Sequence, residues 1–165
     1  MQPLRVGVIG LGVGQQHIAG YLSQPDCAVA ALCDLDEEKL EAARMKYPGV
    51  RLTRDADEVL ADPDIDAVSI ASYDDAHASQ VVGALERGKH VFVEKPLCRT
   101  LEELHRIKQA WAQHQGRVKL VSNLALRAAP LYQWLKQKLA AGDLGEVYAF
   151  DGDYLYGRLH KLTQG

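Results

Sequence analysis

The sequence predicts an α/β fold built on a doubly wound parallel sheet, and three observations carry that prediction. Short apolar runs alternate with helical segments along the chain, a glycine cluster separates the first run from the first helix, and an aspartate closes the second run. Strands that alternate with helices form βαβ units, whose strands are buried on both faces and therefore read as nearly continuous apolar stretches.

The elements follow in order. Leu4 to Ile9 is the first strand, and Gln15 to Ser23 the first helix. Ala28 to Cys33 is the second strand, followed by a helix from Glu37 to Tyr47 that Pro48-Gly49 stops. A short strand near Arg51 and Leu52 leads to a small helix, Asp55 to Leu60, whose Asp55 and Glu58 have capping-box spacing. Asp62-Pro63-Asp64 is a turn. Ala67 to Ala71 is apolar enough for a central strand, Ala76 to Arg87 is a helix ended by Gly88, and His90 to Val93 is the fifth strand. Thr100 and Glu103 open a helix that runs to about His114, Lys119 to Ser122 is the sixth strand, and Leu131 to Ala141 is a helix begun by Pro130 and closed by Gly142. Glu146 to Tyr156 alternates as a long strand with two differing faces.

Gly10-Leu11-Gly12-Val13-Gly14 lies between the first strand and the first helix. A dinucleotide pyrophosphate needs a tight turn, a second glycine that lets the backbone approach, and a helix N-terminus whose free N–H groups face the anion. Gly10 and Gly12 meet the first two needs. The third glycine of G-x-G-x-x-G would fall at position 15, which is Gln15, so Gly14 is expected to take the close-packing role one residue early. Asp34 stands at the end of the second strand, where a carboxylate accepts from the adenosine ribose hydroxyls and repels a 2′-phosphate. That favours NAD over NADP. As alternatives, Asp34 is simply the cap of the next helix, or the glycine loop serves S-adenosylmethionine in a methyltransferase.

The fifth strand runs into Glu94-Lys95-Pro96. Ligands of open parallel sheets bind outside the carboxyl ends of the strands, which puts Lys95 at the crevice where a nicotinamide would lie. A partly desolvated lysine beside a positively charged nicotinamide suits a proton relay or hydroxyl anchor. Pro96 restricts the backbone of Lys95 and so its aim. The plain alternative is a surface ion pair of Glu94 with Lys95.

The pairing of Val8-Ile9-Gly10-Leu11-Gly12 with Glu94-Lys95-Pro96 resembles the signature of the Gfo/Idh/MocA oxidoreductases, relatives of glucose-fructose oxidoreductase and inositol dehydrogenase. The resemblance covers essentially the whole chain and implies an NAD(P)-binding Rossmann fold in which Lys95 is catalytic. Ser72-Tyr73-Asp74-Asp75-Ala76-His77 is similar to the family's Thr-Pro-Asn-type turn and its following His, with Tyr73 and Asp74 in place of Pro and Asn. The cofactor-binding residues so implied are Gly10, Gly12, Val13, Gly14, Asp34, Ser72, His77, Glu94 and Lys95. His17 matches a His often found on the first helix, though a helix-face residue bonding a neighbouring loop is the better reading. Arg127, three residues before Pro130, resembles the family's Arg-x-x-Pro element and is a candidate substrate contact, or else ties down the last helix. Gly142 to Val147 resembles the entry into the family's substrate-domain sheet.

The resemblance implies a division into residues 1–122 as the dinucleotide-binding domain, 123–145 as a connecting segment, and 146–165 as the first strand of a truncated α/β C-terminal domain. It further implies hydride transfer between NAD, less readily NADP, and a sugar, cyclitol or related polyol in the full-length parent, as a homo-oligomer. The 165-residue chain alone is expected to be inactive. The reading from another class is a non-catalytic dinucleotide-binding or interaction module. Glu94-Lys95-Pro96 has no use in a methyltransferase, which leaves that reading a distant third.

Composition agrees with a globular domain: 47% of residues are apolar, 25% are charged, and 19 Lys+Arg against 22 Asp+Glu leave a net charge of -3. Mild acidity without a basic cluster argues against nucleic acid, and the lack of a long apolar stretch or signal-peptide layout points to a cytoplasmic chain away from membranes. Cys27, Cys33 and Cys98 lack metal-pair or C-x-x-C spacing and are expected to be reduced thiols, with no metal site.

Overall fold

A computed structural model describes residues 2–114 and 116–153. Six parallel strands form one sheet in the order β3-β2-β1-β4-β5-β6: β1 (Leu4–Ile9), β2 (Cys27–Cys33), β3 (Arg51–Thr53), β4 (Ala67–Ile70), β5 (His90–Val93) and β6 (Leu120–Ser122). Every strand pair is parallel. The order reverses at β1, which lies between β2 and β4, and ligands of open sheets bind at such a switch point.

Helices cover both faces, as double winding requires. On one side α1 (Gly14–Leu22) and α2 (Glu37–Lys46) send Ile18, Leu40 and Ala43 against Val6, Val8 and Leu32. On the other, α3 (Ala56–Ala61), α4 (Asp74–Glu86) and α5 (Leu101–Ala112) pack Val59, Val81, Leu85 and Ile107 onto Ile9, Val68, Ile70 and Val93. The central strand β4 is buried at all four positions, which explains its continuous apolar run.

Boundaries agree with the sequence pattern to within one or two residues, and the caps explain them. Asp36 starts α2 by accepting from the Glu38 N–H at 2.9 Å. At α5, Thr100 and Glu103 form the full reciprocal capping box. Asp55 caps α3 by itself, accepting from the Asp57 N–H at 2.9 Å, so Glu58 is not needed as a partner. Gly88 and Gly142 follow their helices with positive φ, as anticipated.

The chain divides into two compact units, Met1–Leu124 and Ala125–Gly165. The second contains a short 3-10 turn, Ala125–Ala128, and α6 (Pro130–Ala140). The Gln133 side chain donates to the Arg127 carbonyl, and Lys138 pairs with Asp143 at 2.8 Å. The strand expected over 146–156 is not formed in its described part. Residues 147–153 carry no strand, and Tyr148 and Phe150 are exposed. Alternation alone does not make a strand, because the main-chain N–H and C=O groups need a neighbouring strand to pair with. Residues 154–156 lie outside the described set.

Candidate dinucleotide site

The glycine loop is dictated by close approaches. Gly10 has φ 92°, and a Cβ there would lie 2.2 Å from the Ala71 carbonyl oxygen, so only glycine fits between β1 and β4. Its N–H donates to the Cys33 carbonyl at 2.8 Å, which ties the loop to the end of β2. A Cβ on Gly12 would meet nothing within 4 Å, so this stretch of backbone faces open space. A Cβ on Gly14 would stand 3.1 Å from Val8 Cγ1 and 3.4 Å from Ala71 Cβ; Gly14 therefore lets α1 pack closely, the role expected of it in place of Gln15.

Val13 occupies the N-cap of α1 and gives no side-chain hydrogen bond, so the first turn presents main-chain N–H groups and a positive dipole end toward the loop. Asp34 closes the other side. Its carboxylate accepts from the Leu11 N–H at 2.6 Å and the Asp36 N–H at 2.9 Å, and Lys39 Nζ lies 3.5 Å away. Asp36, rather than Asp34, is the helix cap. The reading of Asp34 as a cap alone is thereby replaced by a carboxylate pinned against the glycine loop.

These residues line a groove of about 480 Å³, with Gly10, Gly12, Val13, Asp34 and Ser72 among its walls. That volume is of the size small-molecule sites occupy. The groove also takes in Tyr73 of the Ser72–His77 turn, and Leu35, Lys39, Arg54 and Gln80, which were not singled out from sequence. Charged side chains of α2 and of the segment after β3 carry no motif that marks them. Ser72 donates to Gln80 Oε1 at 2.7 Å across the groove wall.

Three further residues expected at the cofactor, His77, Glu94 and Lys95, do not line this groove. His77 is 1% exposed, and its ring nitrogens face the Pro96 carbonyl at 2.7 Å and the Ser72 carbonyl at 3.1 Å. His77 thus braces two loops. Glu94 is likewise committed, since Oε1 lies 3.0 Å from His17 Nε2 and accepts from Asn123 Nδ2 at 2.6 Å. Burial by itself would raise the Glu94 carboxyl, but the hydrogen bonds from Asn123, His17 and the Lys95 N–H, with the charge of His17, hold it below the usual carboxylate range. Lys95 is exposed at the end of β5, outside the groove walls, with the Lys95–Pro96 peptide cis. It makes no ion pair with Glu94 among the described residues. Arg127 is an exposed residue of the second unit.

Cys33 is buried, and burial, reinforced by the negative charges of Asp34, Asp55 and Glu58, pushes its thiol up to about 12. All three cysteines are free. Among the described residues no group of three or more His, Cys, Asp or Glu could hold a metal ion, and no helix is long and apolar enough to cross a membrane.

Residues 4–122 match a family model described as an oxidoreductase family with an NAD-binding Rossmann fold. The chain belongs to the Gfo/Idh/MocA oxidoreductase family. Within that family it is 37% identical over 145 residues to inositol 2-dehydrogenase/D-chiro-inositol 3-dehydrogenase of Lacticaseibacillus casei, covering 86% of this chain and 42% of that protein. It is 31% identical over 164 residues to levoglucosan dehydrogenase of Pseudarthrobacter phenanthrenivorans, covering 94% and 42%. Among solved structures, scyllo-inositol dehydrogenase from Lactobacillus casei with bound NAD(H) and scyllo-inositol superposes with a TM-score of 0.80 at 30% identity, over 88% of this chain and 43% of that one. The chain thus spans a little under half the length of the Gfo/Idh/MocA relatives it matches. The match sets the methyltransferase alternative aside.

Proposed function

We propose that the chain is the cofactor-binding part of an NAD-dependent oxidoreductase that moves hydride between the nicotinamide and a CH–OH carbon of a sugar, cyclitol or related polyol. The observation that carries this is the short bond from the Leu11 N–H to the Asp34 carboxylate, which joins a glycine loop open at Gly12 to the acid at the end of β2. An uncapped helix start, a glycine with open space above it, and a carboxylate at the groove mouth fit an adenine dinucleotide residue by residue.

Gly10, Gly12 and the first turn of α1 would take the pyrophosphate through main-chain N–H groups, and Asp34 the adenosine ribose hydroxyls. Bound there, NAD supplies the hydride acceptor. Lys95 stands just past the end of β5, two strands from the switch point, and would anchor the substrate hydroxyl or relay its proton. Support for the substrate class comes from the inositol and levoglucosan dehydrogenases among the relatives. On this reading Arg127 contributes to the substrate side, and the active protein is a homo-oligomer with neither nucleic acid nor membrane as partner.

Calorimetric titration of the chain with NAD and NADP is the test. Saturable binding with NAD the tighter ligand is expected; binding of neither overturns the proposal. In a protein carrying this chain together with a substrate domain, Lys95→Ala should abolish turnover while NAD still binds.

A further inference from the structure

Resting on that reading, we propose that His17, Glu94 and Asn123 form a positioning unit that locks the Lys95 turn to the phosphate-binding helix and thereby sets the nicotinamide end of the dinucleotide. Read from sequence as a helix-face residue bonding a neighbouring loop, His17 stands at the centre of a half-buried polar chain. Its Nδ1 lies 2.8 Å from Ser69 Oγ and its Nε2 3.0 Å from Glu94 Oε1, while its ring meets Phe92 edge-on at 5.1 Å. Asn123 donates to the same Glu94 oxygen at 2.6 Å. One helix and the ends of three neighbouring strands are thus joined through four polar side chains. Ser69 is fully buried, so this Ser-His-Glu arrangement has no access to a substrate and serves as a brace rather than a nucleophile.

The position of the brace gives it its consequence. His17 lies on α1, whose first turn faces the glycine loop, and Glu94 precedes Lys95 directly. On the far side of Lys95, the Pro96 carbonyl is held by His77, which also reaches the Ser72 carbonyl in the groove wall. Lys95 is therefore an exposed residue between two anchored neighbours. Loosening the anchor on the Glu94 side frees the turn at the nicotinamide end but leaves the glycine loop and Asp34, at the adenosine end, as they are.

ADP-ribose, which keeps the adenosine and pyrophosphate but has no nicotinamide, separates these two ends. The chain and its Glu94→Gln and Asn123→Ala variants are titrated with NADH and with ADP-ribose, and thermal melting reports folding. The variants should bind NADH about three- to tenfold more weakly, the range one ordinary hydrogen bond gives, with ADP-ribose affinity unchanged. Parallel loss of both ligands marks a purely structural role and overturns the proposal, as does unchanged NADH binding. If Glu94→Gln does not fold, Asn123→Ala, at a half-buried position beyond β6, decides. Failure of the unsubstituted chain to bind either ligand is a separate result: it removes the cofactor reading and this unit with it.

Discussion

The glycine loop and the Lys95 turn stand at the same edge of one sheet but are held in different ways. The loop is shaped by main-chain constraints: Gly10 fits because a Cβ would strike Ala71, and its N–H is taken by the Cys33 carbonyl. The Lys95 turn is held by side chains from afar, with Glu94 tied to His17 across 77 positions and to Asn123 across 29. A site of the first kind tolerates no substitution at its contact point, whereas one of the second kind can be weakened one hydrogen bond at a time.

The largest expected effect tests the first half of that contrast. Gly10→Ala must either leave φ 92° or push β1 from β4, and strain plus overpacking should cost about 3 kcal/mol or more. Chemical denaturation measures it. A loss under about 1 kcal/mol would show that the loop yields, and would erase the distinction.

Among the described residues, Asp34 is the one side chain that hydrogen-bonds the loop main chain. Because its carboxylate accepts from the Leu11 and Asp36 N–H groups, Asp34→Ala should loosen the cradle as well as remove a ribose contact. Loss of charge-assisted bonds of about 1.5 to 3 kcal/mol implies at least about tenfold weaker NAD binding, and NADP should weaken too. Calorimetry with both nucleotides checks this. NAD weakening alone would return Asp34 to a ribose contact and nothing more.

The two regions should also fail at opposite ends of the pH scale. Glu94 titrates below the usual carboxylate range when folded, so its stabilisation is present above that range and is lost as pH falls through the folded value. Cys33, raised to about 12, contributes stability that is fully present below the ordinary thiol value and is lost as pH rises from there toward about 12. Denaturant midpoints across pH should flatten on the acid limb alone in Glu94→Gln and on the alkaline limb alone in Cys33→Ala. If either variant alters both limbs, the regions are coupled more tightly than their bonding suggests.

The same contrast decides what could be read from the chain. Glycine spacing, the acid ending β2 and the alternation of strand with helix are local signals, and each reports a steric or electrostatic need close by in sequence. Gly10, Gly12, Gly14 and Asp34 do meet around one loop, with the Asp34 carboxylate accepting from the Leu11 N–H. The burial of His77 is not legible in this way, because it depends on the Pro96 loop, 19 positions away. Ser69 did leave a trace: a serine inside the apolar run Ala67–Ala71 needs a buried partner, and that partner is His17. Nothing local distinguishes Asn123, whose role follows from β6 pairing with β5. At 147–153 the alternation was genuine, but a strand also needs a neighbour.

The smallest effect concerns the far end of the Lys95 loop, where the capping box of α5 takes hold. Glu103 Oε2 accepts from the Arg99 N–H at 2.6 Å and from the Thr100 N–H at 3.2 Å, while Thr100 Oγ1 accepts from the Glu103 N–H at 3.1 Å. Thr100→Ala removes one of these acceptors and should cost about 1 kcal/mol of stability, as helix caps of this type do. The loop between Lys95 and Arg99 would keep its anchors at Glu94 and Pro96, so NADH and ADP-ribose should bind as before. A Thr100→Ala chain that loses NADH but not ADP-ribose would extend the positioning machinery past Pro96 to the start of α5. The long-range bonds at Glu94 would then be only part of what sets the turn.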